Sequence, residues 1–163
     1  MREAQVHRSE KPHWSESSTL PEDIYAVLRK SNGAVNPVVV VATVDENGSP
    51  RTAPFGSLRA VTPELLRLVC WHGHDTYRNL CRNGHISVSV MTPPNIAASI
   101  VGRARLIRQH MKADDQHAIF DVTIEKVKND MVRRVAIESA STISVVAKYA
   151  DWFQAILGEM EQP

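Results

Sequence analysis

The chain has 163 residues, 43% hydrophobic and 23% charged, with a formal net charge of +1. That size and composition suit one soluble domain with a real core, and so small a net charge gives no field to attract nucleic acid or an anionic membrane. No apolar run approaches the ~20 residues of a membrane span, and the two cysteines, Cys70 and Cys81, form no CxxC motif and suggest no disulfide scaffold, so a reduced, cytoplasmic setting is the simplest expectation.

The first 18 residues are polar, rich in Ser and Glu, and contain Pro12. They have no apolar signal-peptide core, so a flexible arm is expected over 1–18, with Trp14 as its one anchor. The rest, 19–163, shows no repeat and no composition shift and is expected to be one domain. "TLPEDIYAVLRKSNG" predicts a helix, with Thr19 and Glu22 at capping-box spacing, Leu20, Ile24, Val27 and Leu28 on one face, and Asn32-Gly33 as its stop. "PVVVVATV" from Pro37 predicts a strand that is apolar on both faces, and Asn47-Gly48 a hairpin tip. "RTAPFGSLRA" returns as a strand, interrupted by Pro54 and Gly56 in the manner of an edge or bulge. "LLRLVCWH" is a third strand, and "TYRNLCRNG" a short helix.

"HISVSVM" alternates Ile86, Val88 and Val90 with serines, the period of a strand. "IAASIVGRARLIRQ" predicts a long strand with Ile100, Gly102, Ala104 and Leu106 on one face. A short helix is expected at "KADDQHA", strands at "FDVTIEKVKND" and "STISVV", and a final helix with a stripe from Tyr149 to Met160. Six or seven strands joined mostly by short turns predict an antiparallel sheet, closed into a small barrel with a few peripheral helices, or an open α+β sheet.

Four features carry candidate chemistry. The helix after "HGHD" starts with Thr76, Arg78 and Asn79 in one turn, a place where free N–H groups and the dipole can hold an anion. Asp75 can instead cap that helix, and on spacing alone the plain cap is the simpler reading. In "RTAPFGS", Arg51 can pair with a phosphate, and the backbone around Pro54 and Gly56 can meet the edge of a flat heterocycle, or the segment is an edge strand with a surface arginine. His72 and His74 have strand spacing for two metal ligands, but Arg78 and Asn79 stand where a third would be sought, so no metal is expected. Cys70 and Cys81 lack an evident activating partner, and no Ser-nucleophile elbow, Walker loop or G-x-G-x-x-G occurs. No catalytic residue is assigned; His72 and His74 are the nearest acid–base candidates.

The succession "VVVVATVDENGSPRTAPFGS", "LLRLVCWHGHDTYRNLCRNGHISVSV" and "ASIVGRARLI" resembles the pyridoxamine 5'-phosphate oxidase-like, FMN-binding split-barrel family over about residues 36–109. The resemblance implies a mainly β fold, a six-stranded antiparallel split barrel with a few peripheral helices, forming a homodimer with FMN at the interface. Arg51 and Thr52 would then lie near the phosphate or ribityl end. Pro54, Phe55, Gly56 and Ser57 would face the isoalloxazine, Trp71 and His72 would border the ribityl chain, and Thr76, Arg78 and Asn79 would complete the phosphate seat. An FMN-dependent oxidoreductase is implied, passing electrons from a nicotinamide donor to a small acceptor or oxygen. A flavin sensor or carrier without turnover, or a related barrel for F420 or haem, is the alternative. The chain departs from the oxidase proper at Gly56, where that enzyme has a lysine, and near His74–Thr76, where it has a Ser-Arg-Lys run. The C-terminal "YADWFQAILGEMEQP" also has no match to the oxidase's substrate motif, so pyridoxamine phosphate is not the expected substrate. The last helix is expected to cover the partner's site, with Trp152 near the flavin, or to pack on its own barrel.

Overall fold

The computed structural model describes residues 16–30, 33–132 and 134–163. In chain order the elements are β1 (Glu16–Ser17), α1 (Glu22–Arg29), β2 (Val39–Val44), β3 (Pro50–Phe55), β4 (Arg59–Thr62) and β5 (Leu65–Trp71). They continue with α2 (Asp75–Asn83), β6 (His85–Thr92), β7 (Ile96–Arg108), β8 (His117–Asn129), a 3₁₀ turn (Ala147–Tyr149) and α3 (Ala150–Glu161). The strands form one antiparallel sheet in the order β3-β2-β6-β7-β8-β5-β4, with β1 paired to β8. The fold is the mainly β split barrel that was expected, with eight strands rather than six.

Alternation builds the sheet. In β6, Ile86, Val88 and Val90 are buried while Ser89 is exposed. One apolar core takes residues from both ends of the strand order, including Val39, Phe55, Leu66, Leu68, Ile100 and Phe120, with Ile24 and Leu28 of α1. The sheet therefore curls around a shared interior, and β3 and β4 remain as the two edges of the split. Pro54 lies on one of these edge strands, where a missing N–H is tolerated. The β2–β3 hairpin turns at Gly48, whose φ of +80° favours glycine, and the Asp45 carboxylate accepts the N–H groups of Asn47 and Ser49. A smaller cluster of Val69, Ile119, Met111, Ile156, Leu157 and Met160 joins α3 to the outer side of β5 and β8.

Several expectations need correction. The Thr19–Glu22 capping box does not form, because α1 starts at Glu22 after Pro21, and Ser17 Oγ takes the Thr19 N–H. A proline at 21 disfavours helical geometry at Leu20, which a cap at Thr19 would require. "RTAPFGSLRA" is two strands, β3 and β4, that run to opposite edges of the sheet. "KADDQHA" is no helix: Asp114 accepts the Gln116 N–H locally, and Glu159 of α3 takes the N–H groups of Lys112 and Ala113. "STISVV" joins no ladder. It belongs to an irregular strap over 130–132 and 134–146, tied where Ile137 N–H meets Pro94 O, Val38 N–H meets Ser141 O, and the Asn36 side-chain amide bonds both backbone groups of Ile143. Of the 1–18 arm, Trp14 lies outside the described residues, and Glu16 and Ser17 pair with Lys128 and Val127. Asn32, one of the two residues expected to stop α1, also lies outside them.

Candidate functional site

The first turn of α2 is capped by His74, not by Asp75. His74 Nδ1 accepts the Thr76 N–H at 3.2 Å, and the His74 ring meets Phe55 of β3 edge to face at 5.8 Å. Histidine takes the cap because Asp75 has other partners. Its carboxylate pairs with Arg78 one turn on and with Arg51 of β3, whose Nη2 lies 3.7 Å away. Arg51 Nε also lies 3.9 Å from Asp45 at the hairpin. The segments Arg51–Ser57 and Trp71–Asn79 thus converge at this corner. The Arg51 and Arg78 side chains remain 58% and 57% exposed, and Arg78 Nη1 also reaches Gly73 O at 3.5 Å.

Ser57, Thr76 and Asn79 are buried and already bonded. Ser57 Oγ bridges both backbone groups of Val69, Thr76 Oγ1 lies 3.1 Å from His74 Nδ1, and Asn79 Nδ2 donates to Thr43 Oγ1 at 2.9 Å. These contacts fix the β3–β4 corner and lock α2 to β2. Thr52 and Pro54 are exposed along the edge strand. Gly56 is closely approached: a Cβ there would stand 2.9 Å from Ile143 Cδ1 and 3.1 Å from Val35 O, so a larger residue would make the Ile143 side chain and the Val35 backbone shift. Its carbonyl accepts from Lys30 Nζ at 2.9 Å.

Trp71 is 49% exposed, lies across Gly73 and donates from Nε1 to Gln116. His72 Nε2 lies 2.7 Å from Gln109 O, with its ring 4.7 Å from Tyr77 and 5.2 Å from His110. His72 and His74 therefore part, one toward Tyr77 and one toward Phe55. Among the described residues no three His, Cys, Asp or Glu side chains gather to hold a metal. Cys70 is buried, and burial pushes its thiol up to about 12, while Cys81 is exposed. Trp152 donates to Asp114 and packs on His117, so α3 lies on its own barrel in this chain.

Sequence reasoning missed two residues here. Asp75 is the shared counter-ion of two arginines; its three-residue spacing from Arg78 was the available signal. Lys30 reaches Gly56 across 26 positions, and no local pattern announces that contact.

A separate question is which known proteins the chain resembles. No curated protein matches it. Among solved structures, a candidate pyridoxamine 5'-phosphate oxidase from Lactobacillus delbrueckii is 20% identical, with a TM-score of 0.54 over 68% of this chain and 94% of that one. A protein described as an F420 reductase is 18% identical, with a TM-score of 0.53 over 66% and 98%. An FMN-binding protein from Syntrophomonas wolfei subsp. wolfei is 13% identical, with a TM-score of 0.53 over 68% and 89%. At these identities the likeness is one of fold. Among the described residues no helix is long and apolar enough to cross a membrane. The sequence signature of the family described as pyridoxamine 5'-phosphate oxidase matches residues 29–144, more than half of the chain, and the protein belongs to that family.

Proposed function

We propose that the protein is an FMN-binding flavoprotein that works as an oxidoreductase, taking electrons from a nicotinamide donor and passing them to a small acceptor or oxygen. The observation that carries this reading is the meeting of Arg51 and Arg78 at the first turn of α2, with Phe55 and His74 beside them. Two exposed guanidiniums offer forked donors that match a phosphate monoester, and they sit where a helix start favours negative charge. Arg51 and Arg78 would hold the phosphate. The exposed backbone at Thr52 and Pro54 would take the ring edge, and Trp71 and His72 would border the ribityl chain. Thr76, Asn79 and Ser57 would act by holding the seat's shape, since their polar atoms are already engaged. When bound, the flavin supplies the hydride or single-electron chemistry, and the protein positions it and limits its contact with water. Family membership and the FMN-binding relative favour FMN; the F420 reductase keeps a deazaflavin as the alternative ligand.

A homodimer completes the reading. The outer sheet face carries two cross-strand rows, Pro54–Val40–Ser89–Ser99 and Thr52–Ala42–Ser87–Val101. These side chains are small or apolar, and Val40, Val101 and nearby Met91 are exposed. A second copy packed on this face would shelter the edge strand and close the groove beside it.

The test is a visible spectrum of freshly purified protein, followed by titration with FMN and with F420. A flavin-like spectrum, or saturable FMN binding at micromolar concentration, is expected. Colourless protein that binds neither ligand refutes the proposal. Sustained oxidation of NADH or NADPH with an added acceptor distinguishes an enzyme from a carrier, which would bind flavin without turnover.

A further inference from the structure

A second concentration of positive charge shares no lining residue with the β3–α2 corner. A cleft of about 560 Å³ opens beside the end of α1, β4 and α3. Arg29, Lys30, Arg59 and Arg67 line it with a single carboxylate, Glu161, and with the apolar side chains of Val61 and Met160.

Two of the four cations are paired with carboxylates and bonded to carbonyls. Arg59, 4% exposed, donates to Glu161 at 2.6 Å, to Ala34 O at 2.9 Å and to Ser57 O at 3.3 Å. Arg67 forks onto Asp121 at 2.6 and 3.1 Å and reaches Met160 O at 3.2 Å. The other two are not so paired. Among the described residues Lys30 Nζ meets only carbonyls, Gly56 O at 2.9 Å and Val35 O at 3.3 Å, so within them its charge has no carboxylate and one N–H is spare. The Arg29 side chain has no ion pair or hydrogen bond among the described residues.

The backbone adds an independent sign. Lys30 is the only non-glycine residue with positive φ among the described residues, at +48°. A lysine in that conformation is strained, and such strain persists where the surroundings hold it in place. The charge is costly as well: burial and then the neighbouring Arg59 guanidinium bring the Lys30 pKa down to about 7. An anion in the cleft would offset the cost of that charge.

We infer that this cleft binds a small organic anion, with a carboxylate or phosphate head held by Lys30 and Arg29 and a short apolar body against Val61 and Met160. The charges that face the head are Arg29, Lys30, Arg59 and Arg67, opposed by Glu161 and by Asp121 behind Arg67. Binding draws a proton onto Lys30, because a nearby negative charge favours the ammonium.

The test uses sulfate and succinate, probes that do not themselves titrate near pH 8, in calorimetry at that pH with buffers of different ionisation enthalpy. Saturable binding with net proton uptake is expected, and preference for one probe separates a phosphate-like head from a carboxylate. Lys30→Gln and Arg29→Gln should each weaken binding roughly tenfold. Arg51→Ala, at the other corner, should leave it unchanged, so this inference and the flavin proposal can fail separately. No saturable binding, binding indifferent to both cleft substitutions, loss of binding in Arg51→Ala, or no proton uptake would each overturn the inference. Should Lys30→Gln fail to fold by circular dichroism, the exposed Arg29→Gln variant decides.

Discussion

The two edges of the split are both held by arginine–carboxylate pairs, yet the pairs differ in exposure. On the β4 side, the Arg59 and Arg67 side chains are 5% and 11% exposed, and each also bonds backbone carbonyls. On the β3 side, Arg51 and Arg78 are more than half exposed and share one acid, Asp75. The first arrangement is structural, since removing one partner strands a charge away from water. In the second, water replaces a lost partner at little cost, so the donors can be reassigned to a ligand. Burial separates two chemically similar clusters: the buried pairs are scaffold, and the exposed ones keep donors that a ligand can reach.

The largest effect that would test this contrast is Arg67→Met. It leaves the Asp121 carboxylate, 14% exposed, without its fork, and stability measured by urea unfolding should fall by about 3 kcal/mol. An unchanged midpoint would erase the distinction between the corners. Arg51→Ala should leave the unfolding midpoint in place and reduce FMN affinity roughly tenfold by fluorescence titration. A smaller change of opposite sign is expected for Asp75→Asn. It releases both guanidiniums from competition and should tighten FMN binding roughly threefold; weaker binding would instead make Asp75 the group that positions them.

The last effect concerns pH. Lys30 titrates near 7 in the fold against 10.5 as a free side chain, so between those values the unfolded chain binds more protons and stability rises with pH. Lys30→Met lacks that gain. The Tm of the wild type minus that of the variant should therefore climb by roughly a few degrees between pH 7 and pH 8. A difference that stays flat across that window would show that Lys30 carries no such penalty.

Local periodicity made much of the fold legible. The alternation of β6 and the Ile156–Leu157–Met160 stripe of α3 were readable because side-chain direction follows from backbone repeat alone. The break between β3 and β4 was visible as Pro54 and Gly56, but its meaning depends on β5 pairing with β8, a contact set elsewhere in the chain. The turns at 112–116 read as helical, yet they answer to Glu159 from α3. At the site, Arg51 and Arg78 were legible as donors. That Asp75 would bind both and leave the cap to His74 was not, because 24 residues separate Asp75 from Arg51 and only the folded sheet brings them together.

The strap over 130–132 and 134–146 is fastened through main-chain groups at Asp130, Ile137, Ser141 and Ile143, with the Asn36 amide standing in for a neighbouring strand. Such fastening reads the path of the chain and ignores the identity of its residues. Val132, Val135 and Val146 point their bulk outward without being needed to keep that path. The outer contour of this molecule can therefore drift in sequence, acquiring or losing stickiness toward whatever lies against it, while the barrel underneath stays as it is.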